Sequence, residues 1–570
     1  MDDMRFKKQL KEILGVLYPN EKTGALIERI IDVINPSKTN SVILEKRKKY
    51  RNKISLSEED SILMTYGDSL YEEGEKPLRT LHKFLKTYIK SSFTTVHILP
   101  FFTSSSDGGF AVIDYGSVDP GLGDWDDIEA IAGDYRLMAD LVLNHVSSQS
   151  PWFRGFLSGD QQYKDYFISF DEPVDVSEVF RPREAPLLTR FDTAMGPKYA
   201  WTTFSEDQID LNFHNPEVLI DILRVFLLYL SHGVEFIRLD AIAYVWKELG
   251  TGCVNLHQTH EIVKFLRTVA EYAAPYAIIL TEVNFPFRDN VSYLEARHEA
   301  NMAYHFALPP LVIDSFNYKD TSVLQSETAR VRQDLVFMNF LTTHDGIGLL
   351  SAKELLPPHR LNRLLENIKA HGGEISYRAI NRSHTPYELN TTSYDAINDP
   401  NRPDMETDVE RYLAACAIVL LDKGIPGIYI HCLLGSRNNL KGMEKTGIKR
   451  MINRERLSFK ALTRELSDPG TLRNQVVTKL INLIEFRKEI PAFHHAVERD
   501  ILDSDNRLFI MERKLGNKNS IVVVNVSEET VSLPEYKGTQ DYMRNGPFDG
   551  KVSPYGIYFL ERGTGSSLEI

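Results

Sequence analysis

Gly233-Val-Glu-Phe-Ile-Arg-Leu-Asp-Ala-Ile-Ala-Tyr244 is an apolar run that ends on a charged pair, Arg238 and Asp240. Side chains two apart share one face of a strand, so a cation and a carboxylate leave the same end of a buried strand. Taken alone, such a pair is more often a salt bridge sealing a barrel rim than a site. Its meaning depends on what the rest of the chain places beside it.

Seven further short apolar runs have the same character: Ile62–Tyr66, Val96–Phe101, Leu137–Leu143, Ala277–Leu280, Met302–Phe306, Val336–Leu341 and Gly427–Ile430. Amphipathic stretches such as Leu78–Tyr88, Pro216–Ser231, His260–Ala273 and Val409–Leu421 lie between most of them. Alternation of this kind builds parallel βαβ units, and eight strands close a barrel. The expected fold is α/β, a (β/α)8 TIM barrel.

The barrel is expected in three parts, residues 58–143, 216–346 and 406–496. A helical extension, 1–57, precedes it. A small domain rich in aromatics, prolines and arginines, 144–215, is inserted after the third strand, and a loop-rich insertion, 347–405, follows the seventh. Both insertions leave from the carboxyl ends of strands, the face that carries active sites in barrel enzymes. Residues 497–570 alternate like strands and are expected to form a C-terminal antiparallel β domain. The basic run Lys46-Arg-Lys-Lys-Tyr-Arg51 is read as a solvated helix face.

Charged residues at 25% and apolar ones at 42% describe an ordinary globular chain of 570 residues. A net charge of −13 speaks against nucleic acid or an anionic membrane as partner. An anionic small molecule would need positive charge concentrated locally. Three cysteines, Cys253, Cys416 and Cys432, lack the spacing of a zinc site or redox dithiol and read as reduced thiols. With no signal-peptide core and no apolar run of membrane length, the cytoplasm is expected. No metal or cofactor is expected, and nothing in the sequence assigns an oligomeric state.

Charges recur where the strands run out. The third run ends in Asp140-Leu-Val-Leu-Asn144-His145, the fifth reaches Glu282, and the seventh reaches His344 and Asp345. Like charges gathered at one face destabilise a fold unless chemistry requires them. Three carboxylates with histidines suit glycosyl transfer. A retaining enzyme needs a carboxylate nucleophile and, roughly 5–5.5 Å away, a carboxyl that acts as acid and then base. Arg238 would keep Asp240 ionised, while burial and the nucleophile's charge keep the second carboxyl protonated.

These residues resemble the signature regions of the α-amylase superfamily of glycoside hydrolases, and Gln208-Ile-Asp-Leu-Asn212 resembles a fifth region. The resemblance implies Asp240 as nucleophile, Glu282 as general acid/base and Asp345 as a transition-state clamp, with His145 and His344 on the same glucose ring. Longer strings are similar to the sucrose phosphorylase group within it: His97-Ile-Leu-Pro-Phe-Phe102, Leu122-Gly-Asp-Trp-Asp126, Phe306-Ala-Leu-Pro-Pro310, Tyr387-Glu-Leu-Asn390 and Ile452-Asn-Arg454. Those enzymes transfer glucose to phosphate. The group implies that Asp107 and Arg450 bind the far hydroxyls of the glucose and that Phe110 stacks beneath it.

Arg181, Arg183, Arg378, Arg382 and His384 are candidates for local positive charge on the acceptor side, where Tyr387 also lies. Sucrose phosphorylases carry an acid two positions before that tyrosine, and Thr385 stands here instead. The extension, Trp201-Thr-Thr-Phe-Ser and Leu434-Gly-Ser-Arg-Asn438 are similar to glucosylglycerate phosphorylases. The expected reaction is phosphorolysis of 2-O-α-glucosylglycerate to α-glucose 1-phosphate and D-glycerate. Sucrose or sucrose 6′-phosphate is the nearest alternative, and a glucosidase or transglucosidase is more remote. A binding module that had lost catalysis would lack Asp240 or Glu282, and both are present.

Overall fold

The computed structural model describes residues 1–295, 298–380 and 383–562. Eight parallel strands close into a barrel, each beside its chain neighbours. They are β1 (Ile62–Thr65), β2 (Thr95–Ile98), β3 (Arg136–Val142), β4 (Val234–Asp240), β5 (Ile278–Thr281), β6 (Met302–Tyr304), β7 (Phe337–Asn339) and β8 (Ile425–Tyr429). Each overlaps one of the apolar runs. Parallel strands are covered on both faces, so they read as continuous apolar stretches, and every residue of β4 is buried. In the β3–β4 ladder Arg238 stands opposite Asp140, which makes those two side chains neighbours.

The helices between strands start where local chemistry dictates. Leu122-Gly-Asp-Trp-Asp126 contains a helix start: the Asp124 carboxylate accepts from the Asp127 N–H and Asp127 reciprocates at Asp124, which caps Trp125–Asp134.

After β3, the strands Ser169–Phe170, Leu188–Thr193 and Gly196–Trp201 form a small sheet. Gln208–Asp210 then returns antiparallel to His145–Ser147, which brings Gln208 and Asp210 beside the end of β3. The insertion after β7 differs from the loop-rich reading. It contains a helix, Pro358–Ala370, and a hairpin of Glu374–Ile380 with Ser383–Asn390, extended by Ile347–Gly348 into three strands. The hairpin is rich in Ser, Arg, His and Thr, so it shows little hydrophobic alternation. A six-stranded antiparallel sheet follows the barrel, with Leu508–Leu515, Lys518–Asn525 and Ile557–Arg562 at its centre.

The extension folds as α1 (Asp3–Leu17), α2 (Thr23–Ile34) and α3 (Ser41–Lys49). Helix α1 buries Phe6, Leu10, Ile13, Leu14 and Leu17, roughly 1.5–3 kcal/mol for each large side chain. Phe6 stacks on Tyr272 with ring centroids 3.9 Å apart, and the Tyr18 hydroxyl donates to the Phe213 carbonyl at 3.0 Å. The basic run is not wholly a solvated face. The ladder slips at Glu235, leaving this carboxylate buried at the amino end of β4, where Lys46 meets it at 2.6 Å and Arg136 at 2.9 Å. Among the described residues no helix is long and apolar enough to cross a membrane.

Candidate active site

One guanidinium organises the carboxyl ends of β3, β4 and β5. Arg238 is 2% exposed. Its Nη1 donates to Asp140 and, at 2.8 Å, to Asp240, and its Nη2 lies 3.9 Å from Glu282. The His97 ring, from β2, sits 2.7 Å from the other oxygen of Asp140. Burial opposes the charge on Asp140, but Arg238 and His97 overcome it and hold this carboxyl below its usual range. Asp140 therefore carries a permanent negative charge that supports Arg238 from behind.

Burial pushes both Asp240 and Glu282 up, and each resists a neighbouring carboxylate; Arg238 pulls both down. Two buried carboxyls beside one arginine keep a proton between them. Asp240 bonds the arginine directly, whereas Glu282 stands more than 1 Å farther off, so Arg238 stabilises a charge on Asp240 more than one on Glu282. Ala241 helps to aim Glu282. It adopts a left-handed backbone, φ 51°, a conformation that costs an alanine roughly 1–2 kcal/mol, and its N–H donates to Glu282 Oε2 at 3.1 Å.

The far wall is a second charged network. Arg450 Nη1 lies 2.7 Å from Asp345 and 3.8 Å from Asp107, while its Nε and Nη2 form a two-point bond with Glu388 at 3.1 and 2.7 Å. Arg454 adds a bond to Asp345 at 2.9 Å and another to the His344 carbonyl at 2.9 Å. Burial would raise Asp345, yet Arg450 and Arg454 beside it hold it far below the carboxylate range. Asp345 is thus a fixed anion. His344 and His145 are pushed down by burial and stay neutral. Phe110 stacks on His344, centroids 5.1 Å apart, and its carbonyl lies 3.1 Å from His145 Nε2. The turn before it needs glycine: at Gly109, φ 103°, a Cβ would meet the Pro100 carbonyl at 2.5 Å.

These side chains enclose a pocket of about 720 Å³, its open mouth included. Asp240, Glu282, Asp345, Asp107, Phe110, His145, Arg450, Tyr387 and Arg183 line it, with Arg238 and His344 buried behind them. Tyr244, Phe204, Phe285 and Phe306 supply aromatic walls. Arg183 rests over Tyr387, 5.7 Å from its ring centre, and pairs with no carboxylate among the described residues. Burial pushes the Tyr387 hydroxyl up to about 12.

Arg181 does not join the site. Its guanidinium donates to the carbonyls of Glu184 and Ala185 and so ties its own turn together. Arg378 lies 4.5 Å from the Phe180 ring centre and stands opposite Thr385 in the hairpin. Arg382 lies outside the described residues, as does the side chain of His384. Glu388 and Arg454 are wall residues that the sequence reading did not assign. Both occur in strings noted above, and Glu388, 3% exposed, had one available signal: a buried acid requires a cation.

Residues 84–351 match the family described as the alpha amylase catalytic domain. The chain is 44% identical to the glucosylglycerate phosphorylase of Spirochaeta thermophila over 481 residues, 83% of this chain and 82% of that one. It is 41% identical to the glucosylglycerate phosphorylase of Allomeiothermus silvanus over 527 residues, 92% and 93% of the two chains. Among solved structures, sucrose 6F-phosphate phosphorylase from Thermoanaerobacter thermosaccharolyticum superposes with a TM-score of 0.74 at 29% identity, covering 83% of this chain and 95% of that one.

Proposed function

The chain belongs to the alpha-amylase family, and from that premise we propose that it is a retaining glycoside phosphorylase acting on 2-O-α-D-glucosyl-D-glycerate. The observation that carries this reading is the step in identity. The glucosylglycerate phosphorylases stand at 38–44%, and the sucrose and sucrose 6F-phosphate phosphorylases at 29–32%. Arg183 at the pocket, which pairs with no carboxylate among the described residues, supports it, since both acceptors, glycerate and phosphate, are anions. Thr385 leaves the hairpin without an acid at the position that would repel a carboxylate, and Arg378 faces it.

The mechanism follows from the two charge networks. Asp240 attacks the anomeric carbon, the glycosidic C–O bond breaks, and Glu282 gives its proton to the departing glycerate oxygen. A covalent glucosyl–Asp240 ester remains. Phosphate then attacks the same carbon from the side the glycerate left, returns its proton to Glu282 and releases Asp240. Two inversions give α-glucose 1-phosphate. Asp345, clamped by two arginines, holds sugar hydroxyls as the ring flattens, and Asp107 with Arg450 closes the far end of the pocket over one glucose. We place the reaction in the cytoplasm, where phosphate is available and where free, buried Cys253, Cys416 and Cys432 remain reduced.

The structural likeness to a sucrose 6F-phosphate phosphorylase favours one second reading, in which the anionic leaving group is fructose 6-phosphate. The purified protein incubated with α-glucose 1-phosphate and D-glycerate, glycerol, fructose or fructose 6-phosphate separates them. Phosphate release is expected to be fastest with D-glycerate. Release confined to fructose or fructose 6-phosphate would refute the glycerate reading, and free glucose at equal rates in every mixture would make the protein a hydrolase.

A further inference from the structure

The loop that follows the nucleophile strand returns an ammonium group to the back of the sugar site. Lys247 is 5% exposed, and its Nζ lies 2.6 Å from Asn144 Oδ1 and 2.6 Å from Asp210 Oδ2. Asp210 and Asn144 are fully buried. Asp210 also accepts from the Thr203 N–H at 2.9 Å and hydroxyl at 2.6 Å, so its position is fixed. From this cluster Asn144 Nδ2 reaches His145 Nδ1 at 3.2 Å and Asp210 Oδ2 at 3.0 Å.

We propose that Lys247 is a positioning residue for glycosyl transfer: its buried ammonium orients the Asn144 amide, which in turn fixes the nitrogen of His145 that carries the proton. The inference rests on the reading in which His145 touches the glucose. An ammonium only donates and a carboxylate only accepts. Lys247 therefore holds the Asn144 oxygen, and Asp210 holds its NH2 group. The amide cannot rotate by half a turn without setting NH2 against ammonium and oxygen against carboxylate. In this orientation the amide's second hydrogen faces His145 Nδ1, which must accept it.

The imidazole proton is then on Nε2, where it faces the Phe110 carbonyl at 3.1 Å. A sugar hydroxyl entering there finds a neutral donor of fixed direction. The charges around the ring agree: Asp210 and Asp107 favour imidazolium, while burial and Lys247 oppose it. On the Asp107 side, Gln208 Nε2 lies 3.2 Å from Asp107 and 3.1 Å from His145 Nε2; the carboxylate takes one hydrogen of that NH2 group, and the Phe110 carbonyl, which can only accept, favours the proton on His145 Nε2. Without Lys247 the amide loses the donor that fixes its oxygen and Asp210 loses its cation, so the orientation is held less firmly and His145 gains access to the form with its proton on Nδ1, an acceptor facing the sugar instead of a donor.

A double-mutant cycle on the full-length protein tests this. Lys247→Met and His145→Ala are made singly and together, and kcat and KM for the glucosyl donor are measured. Lys247→Met is expected to lower kcat/KM by about tenfold. In the His145→Ala background it should lower kcat/KM no further, because its effect runs through the lost ring. Equal losses in both backgrounds would overturn the proposal, since a general structural defect acts independently of His145. Should Lys247→Met leave Asp210 unpaired and fail to fold, Lys247→Met with Asp210→Asn, which removes both buried charges, takes its place in the same cycle. A His145→Ala enzyme with unchanged kcat/KM would give a separate signature, overturning the assignment of His145 to the sugar.

Discussion

Asp240 and Glu282 stand beside the same guanidinium, and in the proposed mechanism the nearer carboxyl is the ionised nucleophile while the other, about 1 Å farther off, carries the proton. Glu282 is held in an environment that disfavours its charge, so removing that charge should help the fold while abolishing turnover. Glu282→Gln is expected to raise the melting temperature by a few degrees and to lower kcat by at least about three orders of magnitude. A destabilised Glu282→Gln protein would contradict the assigned burden. The proton also sets a pH limb. Glu282 must be protonated to release glycerate, and its folded pKa is raised, so glycerate release should fall as pH rises through that value. At the acceptor side, Arg183→Ala is expected to raise KM for D-glycerate and phosphate by about tenfold and to leave glycerol little changed. An equal loss for all three would remove the electrostatic argument. At this scale the strand-end acids were legible in the sequence because their neighbours are apolar. Arg181 and Arg183 were not separable there, since only the turn between them determines that one binds its own carbonyls and the other faces the pocket.

The barrel strands were legible element by element because both faces of a parallel sheet are buried, which writes each strand as an unbroken apolar run. The hairpin Glu374–Ile380 and Ser383–Asn390 was not, because one side of it borders the polar pocket mouth and alternation disappears. The extension shows the same limit differently. Its helices were visible from their spacing, but the use of Lys46 depended on a bulge at Glu235, nearly 190 residues away, and no local pattern announces a slip in a distant ladder. Helix α1 is bound to the barrel chiefly by buried apolar contact, with Phe6 on Tyr272 at its centre. Phe6→Ala is expected to cost about 3–5 kcal/mol and to speed amide hydrogen exchange across α1 before the barrel strands are affected. Uniform exchange throughout the chain would show instead that α1 and the barrel unfold as one unit.

Across the whole molecule the net charge is −13, and Arg183 at the pocket stands as a local cation against it. Stability should follow the buried histidines. Burial pushes His305 down to about 4 and His431 down to about 3, against roughly 6.5 in the unfolded chain. The unfolded state therefore binds protons first. The contribution is complete above about pH 6.5 and is lost as pH falls through the window between the two values, about 2 kcal/mol per histidine by pH 5. The urea midpoint should drop between pH 7 and pH 5, and a flat profile would contradict the burial of these rings in neutral form. The central claim is retaining phosphorolysis of the glycerate glucoside, and proton NMR of the protein with 2-O-α-D-glucosyl-D-glycerate and phosphate tests it in one time course. The first product signal should be the anomeric proton of α-glucose 1-phosphate, rising together with D-glycerate; a β-phosphate signal, or free glucose as the first product, would contradict it.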